Sequence, residues 1–419
     1  WRLTETRRRG VEWYFSGSVL DTARSVDTLS YSIAVYVDAG EGDARTRGAF
    51  SVSVHPTATH AELKTAIDRA VTAAAGMRNP WYPIPDPSGA PVHAQVASGF
   101  SGMPLESSME GLRSALYGAS TVDGASINSL ELFLASHDVR IVNSRGLDVQ
   151  KRSYRGFTEF IVNASAPGKD EIELYGDLEF SEPDDKRLRA AMIDKLTQAK
   201  DRLVAIPTPA CDGLPVLFKG PLAADIYEYW FMATQAQCAY DKTAPFKLGD
   251  LVGTDGGRGD AIRLKAVPVV AGSPRSTPFD PEGTALGTVP CITDGRLEHL
   301  VGPLKYTHYL GLPATGDHPV FELDAGRDSL ERLASEPHVE AAAFSDFFVD
   351  PTTGDFGGEL RLGYRVEGGK RVPISGGSIT GSMADNRGEI RLSKELDTFP
   401  GCRAPVACLI PKARIASVG

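Results

Sequence analysis

The stretch Gly272–Gly316, GSPRSTPFDPEGTALGTVPCITDGRLEHLVGPLKYTHYLGLPATG, decides how the rest of the chain is read. An acidic turn, Phe279-Asp280-Pro281-Glu282-Gly283, leads into a short apolar strand. A second turn, Ile292-Thr293-Asp294-Gly295-Arg296-Leu297, closes that strand and opens a Gly/Pro-rich loop holding Leu310-Gly311 and Thr315-Gly316. Asp, Pro and Gly are turn formers, so turn chemistry gives this segment a structural role, with Glu282 accepting from backbone donors. Two carboxylates this close can also serve as acid and base, or bind a hard cation.

Composition bounds what lies on either side. With 419 residues, 42% of them apolar and 23% charged, the chain can bury large cores in about two or three domains. A net charge of -10 argues against nucleic acid as a partner, because phosphate binding rests on a basic surface. The one basic run, Arg7-Arg8-Arg9, reads as a solvated terminal segment. No stretch approaches the roughly 18 apolar residues of a membrane helix. The N-terminus has no signal-peptide core and starts at Trp1, which suggests that the natural start lies upstream. Five cysteines without a CxxC pair fit reduced thiols and a cytoplasmic home better than a disulfide framework.

Periodicity places the elements. Tyr31, Ile33, Val35 and Val37, then Phe50, Val52 and Val54, alternate as a hairpin with one buried face. Thr59 and Glu62 form a capping box for a helix carrying Leu63, Ile67, Ala70, Val71 and Ala74, stopped near Gly76. Residues 78–104, rich in Pro and Gly, form a connection. Ser107 and Glu110 repeat the capping-box spacing ahead of Leu112, Ala115 and Leu116, and a strand pair follows at Val139–Asn143 and Phe157–Asn163. Ser181 and Pro183 suit the start of a helix with Leu188, Met192, Leu196, Ala199 and Leu203 on one stripe.

After a strand at Val216–Phe218, Pro221–Tyr240 reads as one helix with Leu222, Ile226, Trp230 and Ala233 on its apolar side. A meander follows at Val339–Phe348, Glu359–Val366 and Arg371–Ile374, preceded by a short helix capped by Asp328. The expected architecture is therefore α+β. An N-terminal α+β region, 1–207, with a sub-boundary near 78–104, precedes a domain at 208–419 dominated by a curved antiparallel sheet.

General motifs of chemistry are missing. The eight histidines include no HExxH pair, and His299 and His308 read as ordinary strand or loop residues. Gly376-Gly377-Ser378 only approximates half of a nucleophile elbow and falls between strands, so Gly376–Gly381 reads as a bulged strand edge where a backbone can come close. Gly253–Gly259 lacks the Lys-Ser/Thr of a phosphate loop and reads as a surface loop.

The opening stretch resembles a signature of the TldD/TldE family, the second type also called PmbA. Ile141–Leu147 (IVNSRGL), Asn163-Ala164-Ser165, Pro215–Phe218 with the helix after it, Phe344-Ser345, Thr353–Phe356, Gly363-Tyr364, Val372–Ile374, Ile379–Gly381 and Ala404–Val406 resemble further family segments in the same order. The resemblance implies a peptidase fold in which TldD-type members carry HExxxH on that helix and a later Cys as third zinc ligand. This chain departs at both places. Tyr227-Glu228-Tyr229-Trp230-Phe231-Met232 aligns with the motif, leaving Glu228 alone, and Cys402 lies too close to Pro405 to match the ligand Cys.

The resemblance therefore implies a TldE-like, metal-free subunit of a two-component metallopeptidase, a heterodimer whose zinc belongs to a TldD-like partner. It implies a peptide or unfolded polypeptide as substrate, and a homodimer if no partner exists. No catalytic residue and no cofactor is assigned to this chain. Gly376, Gly377, Ser378 and Gly381 are candidates for holding an extended peptide by strand addition. Two alternatives stay open: a binding or structural protein that keeps the fold, and a metal-independent hydrolase.

Overall fold

The computed structural model describes residues 1–87, 93–118, 122–211, 213–253 and 257–417. Residues 254–256 of the expected Gly253–Gly259 loop lie outside them. The fold is α+β, built on three sheets.

The first sheet comprises β1 (Arg2–Ser16), β2 (Val19–Ala39), β3 (Thr46–Val54), β4 (Asn79–Pro80), β5 (His93–Gln95), β6 (Ala125–Asn143), β7 (Asp148–Ala164) and β8 (Ile172–Phe180). Its order is β4-β3-β2-β1-β6-β7-β5, with β8 also on β7. The run Arg7-Arg8-Arg9 is not a solvated tail: it sits in the middle of β1, paired to β2 on one side and β6 on the other. The expected strand pair lies within β6 and β7, but at opposite ends of a much longer ladder. Val139 faces Lys151, and Phe157 faces Phe133.

Alternation explains the length of these strands. Leu130, Leu132 and Leu134 are fully buried beneath two helices, α2 (Leu105–Tyr117) and α3 (Asp185–Val204), while Glu131 and Phe133 turn to the other face. Each buried leucine contributes about 1.5–3 kcal/mol of transfer free energy. Helix α1 (His60–Gly76) carries the expected capping box, with Thr59 and Glu62 satisfying each other's backbone donors. It covers the β2–β3 hairpin only in part, so Val35 is buried but Phe50 and Val71 stay 40% exposed.

Two helix starts differ from expectation. Helix α2 begins two residues before Ser107, with Pro104 as its cap, so Ser107 and Glu110 sit inside it. Helix α3 is capped by Asp184 rather than Ser181, its side chain accepting from Arg187 N.

The C-terminal half continues with β9 (Ile206–Pro207) and β10 (Val216–Lys219), then α4 (Pro221–Ala233) and α5 (Ala236–Asp241). Next come β11 (Leu264–Val267), β12 (Val289–Thr293), β13 (Arg296–Leu297), α6 (Leu304–Tyr309), β14 (Val320–Leu323) and α7 (Leu330–Ser335). The meander is β15 (His338–Val349), β16 (Asp355–Glu367) and β17 (Lys370–Ser375). The chain ends with β18 (Ser378–Ser382), β19 (Arg391–Leu392), β20 (Leu396–Phe399), β21 (Cys402–Pro405), β22 (Ala407–Ile410) and β23 (Ala413–Ala416).

Here the single curved antiparallel sheet of the sequence reading becomes two sheets. One runs β19-β22-β10-β15-β16-β17-β9, with β18 and β23 attached through β16, and the other runs β13-β12-β11-β14-β21-β20. Most pairs are antiparallel, but β10–β15, β9–β17 and β14–β21 are parallel. Strand β9 precedes residue 208 and already belongs to the second sheet. Helix α4 is packed between the two sheets in the largest core of the molecule. The cap of α7 is Ser329, not Asp328, which pairs with Arg391 instead.

Candidate functional site

Helix α4 starts where Gly220, at φ 59°, turns the chain out of β10 and Pro221 supplies a fixed φ in the first turn. It does not run to Tyr240. The Thr234 hydroxyl donates back to Phe231 O at 2.6 Å, and Ala236 N leaves the helix for Val301 O at 2.7 Å. These bonds end α4 and start α5.

Tyr227 points into the core. It is fully buried, stacks on Trp230 at 6.1 Å between ring centroids, and holds its hydroxyl beside the Cys408 thiol without hydrogen-bond geometry. Burial pushes the phenol well above its ordinary range and the Cys408 thiol up to about 12. Cys402, on β21 against the same helix, is raised further by burial and then by the Glu228 and Asp225 carboxylates.

Glu228 instead faces solvent, near Gly401. A Cβ there would sit 3.4 Å from Arg275 Nη1 and 3.5 Å from Glu228 Oε1. Asp225, one turn earlier, was missed by sequence reasoning, although its spacing of three from Glu228 on a helix places the two side by side. It keeps an exposed edge, yet desolvation, then the Glu228 and Asp177 carboxylates, push it up to about 6. Met232 is partly exposed.

The donor set at this point is one phenol, two carboxylates, one thioether and two thiols held protonated by burial. It does not fit a zinc site, which needs three deprotonated or imidazole ligands with a fourth position open. Among the described residues no group of three or more His, Cys, Asp and Glu is placed to hold a metal.

The signature turn is a clasp between the halves. Asp280, 1% exposed, accepts from Glu282 N at 2.8 Å, Thr284 N at 2.9 Å and Asp317 N at 3.2 Å. Thus Asp280, and not Glu282, satisfies the backbone of the turn. Glu282 pairs with Arg2 of β1 at 2.9 Å, and burial raises its carboxyl while Arg2 opposes the shift. Gly283 has φ 95°, and a Cβ there would lie 2.3 Å from Leu147 Cδ2. Phe279 packs with Ile141, Leu147 and Val149, and Lys151 Nζ donates to Thr277 Oγ1 at 2.6 Å.

The Gly376–Gly381 segment offers no free edge. Gly376 and Gly377, at φ 82° and 74°, make the turn into β18. From Ser378 to Gly381, β18 is bonded to β16 on one side and β23 on the other. The close approaches that these glycines permit are internal: a Cβ on Gly377 would meet Ala416 O at 2.0 Å, and one on Gly381 would meet the Phe356 ring at 2.4 Å. Peptide addition at these four residues is therefore blocked by the protein's own strands. Elsewhere, β15 pairs with β10 only at Val339–Ala341, and its stretch 342–349 has no strand partner on that side among the described residues. Phe344, Phe347 and Phe348 lie on this stretch, Phe348 being 56% exposed.

His299 bonds Pro290 O through Nδ1, and His308 packs edge-on against Trp81.

Comparison with known proteins bears on these features. The family model of the PmbA/TldA metallopeptidase C-terminal domain matches residues 212–419. A search of curated proteins finds no match. Three crystal structures share the whole fold at a TM-score of 0.79 each. A protein described as a modulator of a DNA gyrase from Thermotoga maritima MSB8 is 18% identical, over 99% of this chain and 95% of that one. TldE from Thermococcus kodakarensis is 16% identical, over 99% and 96%. A protein from Bacteroides thetaiotaomicron VPI-5482, likewise described as a modulator of DNA gyrase, is 14% identical, over 100% and 94%. At such identities the structures speak for the fold, and the family match for descent. The chain belongs to the TldD/PmbA family, which is of metallopeptidase type.

Proposed function

We propose that this chain is a metal-free, TldE/PmbA-like subunit of a two-component peptidase, and that its TldD-like partner holds the zinc and cleaves peptides or unfolded segments. One observation carries the reading: on α4 the motif positions hold a buried Tyr227 and a partly exposed Met232 in place of histidines, and of the motif only Glu228 remains. A carboxylate without a metal-bound water has no comparable nucleophile near neutral pH. The working unit is a cytoplasmic heterodimer. Its substrate binds as an added strand, at the open edge of β15 rather than at Gly376–Gly381.

Activity assays on an unfolded peptide decide the matter, using this chain alone, a TldD-like subunit alone, and the two mixed, each with and without chelator. Cleavage should appear only with the partner present and should vanish with chelator. Changing Glu228→Gln should leave the mixed activity within a few fold, while the partner's motif glutamate should be essential. Chelator-resistant cleavage by this chain alone would move a metal-independent hydrolase to first place. Peptides with proline at alternate positions lack the donors for strand addition and should bind more weakly. Equal binding would remove the β15 edge from the reading.

A further inference from the structure

The first sheet carries a groove of about 560 Å³ with no role in the reading above. Its floor is a continuation of the face that α2 and α3 cover elsewhere, and it is lined by Arg7, Arg9, Asp138, Arg140 and Arg152, with Glu5 at one end. The ladder register sets these in rows across the strands. Arg9 stands opposite Asp27; Arg7 opposite Asp138, itself opposite Arg152; and Glu5 opposite Arg140.

Counting donors and acceptors shows what the floor lacks. Arg7 grips Asp27 through Nε and Nη2, at 2.9 and 2.7 Å. Arg140 grips Asp148 the same way at 2.9 and 2.6 Å, and Arg152 grips Asp138 at 2.5 and 3.0 Å. Both oxygens of each of these three aspartates are engaged, yet among the described residues every one of these arginines keeps Nη1 without a hydrogen bond. The Arg9 side chain makes no hydrogen bond among the described residues and reaches Asp27 and Asp138 only at 3.7 Å. The floor is thus rich in N–H donors and short of acceptors.

Stability does not account for it. Exposed ion pairs of this kind are worth about 0–1 kcal/mol each, and an arginine without a close partner adds nothing to that. A chain of net charge -10 nevertheless gathers four arginines in one concavity. Arg7 and Arg9 are two residues apart on β1, a spacing of about 6.8 Å, which is also the distance between successive side chains on one face of an extended peptide.

We propose that this groove binds an extended peptide segment bearing carboxylates at alternate positions, Glu-x-Glu in kind, with Arg9 as the anchor and the free Nη1 groups of Arg7 and Arg152 completing the contact. Nucleic acid is the poorer fit. The floor alternates arginine with Asp138 and Glu5, which would repel a continuous phosphate backbone, and its described lining holds no Phe, Tyr or Trp ring on which successive bases could stack.

The test uses the full chain without any partner, so its outcome is separate from that of the subunit assay. A fluorescent Glu-Ser-Glu-Ser-Glu-Ser peptide should bind by anisotropy, weaken as salt rises, and outbind its Gln counterpart by tenfold or more. Arg9→Gln should weaken binding about tenfold, as expected for a lost charge-assisted bond. Asp138→Asn, which frees the Arg152 fork, should tighten it several fold. Folding of each variant is checked by circular dichroism, and the opposite signs of the two variants separate a binding role from general damage. Equal binding of the Glu and Gln peptides, or variants without effect, overturns the proposal. So does displacement by inorganic phosphate at equal charge, which makes the groove a simple anion site, or tighter binding of an oligothymidylate, which makes it a nucleic-acid site.

Discussion

Tyr227→Phe is the sharpest probe of the motif helix. The substitution removes one oxygen and leaves the ring, its stacking on Trp230 and its full burial unchanged. Among the described residues that buried oxygen has no partner of hydrogen-bond geometry, its neighbour being the weakly polar Cys408 thiol. An unsatisfied buried hydroxyl costs about 1–3 kcal/mol. A poor contact with sulfur returns part of that, so the variant should gain about 1 kcal/mol, and at worst lose none. For a chain of this size the gain corresponds to roughly 1–3 °C in Tm. Tyr227→Ala should lose about 3–5 kcal/mol, because it opens a cavity in the largest core. Thermal melts and urea titrations at constant slope measure both, and the peptidase assay of the mixed subunits shows whether the hydroxyl matters to function. A loss above about 1 kcal/mol in the Phe variant, or a large drop in mixed activity, refutes the view of Tyr227 as packing alone.

Other perturbations follow from the same geometry. Gly283→Ala combines a left-handed backbone angle with a contact to Leu147 that must give way, and should cost about 2–4 kcal/mol; an unchanged urea midpoint would show that the halves are not clasped there. Asp225 has a folded pKa of about 6 against an ordinary 3.8, so between about pH 4 and 6 the native state holds more protons than the unfolded chain. Its contribution is therefore greatest at or below about pH 4 and falls as pH rises through about 6. Asp225→Asn should flatten that fall, and parallel pH–stability curves for the two proteins would contradict the crowding of Asp225 with Glu228 and Asp177.

Some self-contained local signals were legible, though the Ser107–Glu110 spacing, which lies inside α2, was not a cap. The Thr59–Glu62 box fixes the start of α1 because both its bonds lie within four residues, and the β15–β17 meander follows from apolar alternation between turns. Strand β1 was hidden for a physical reason. Its outer half alternates charges, Glu5, Arg7 and Arg9, and the partners of the arginines are Asp27 on the adjoining β2 and Asp138 on the distant β6. A charge ladder of this kind looks like a solvated tail until the register is known. The break in α4 was equally invisible, since Thr234 and Gln235 are tolerable in a helix and only the bond from Ala236 N to Val301 O redirects the chain. The filling of the β18 edge depended on β23, thirty-odd residues away and short.

The signature turn and the motif helix show two different limits of reading function from sequence. At the turn, the residue types were right and their duties exchanged: Asp280 is deep enough to take three backbone donors, so Glu282, two residues on and nearer the first sheet, is left to meet Arg2. At the helix, the aligned positions could be named without coordinates, but their directions could not. Tyr227 is enclosed among Trp230, Cys402 and Cys408, whereas Met232 is partly exposed. Under the proposed subunit role, the loss of zinc chemistry is then more than the exchange of two histidines. An imidazole placed at 227 would enter a fully buried apolar site beside protonated thiols, where a dication would have to be desolvated with few anionic ligands to compensate it. The helix has been turned over to packing, and what this chain gives to a peptidase must come from its surfaces: the open stretch of β15, the face of the first sheet, and whatever part of either a partner covers.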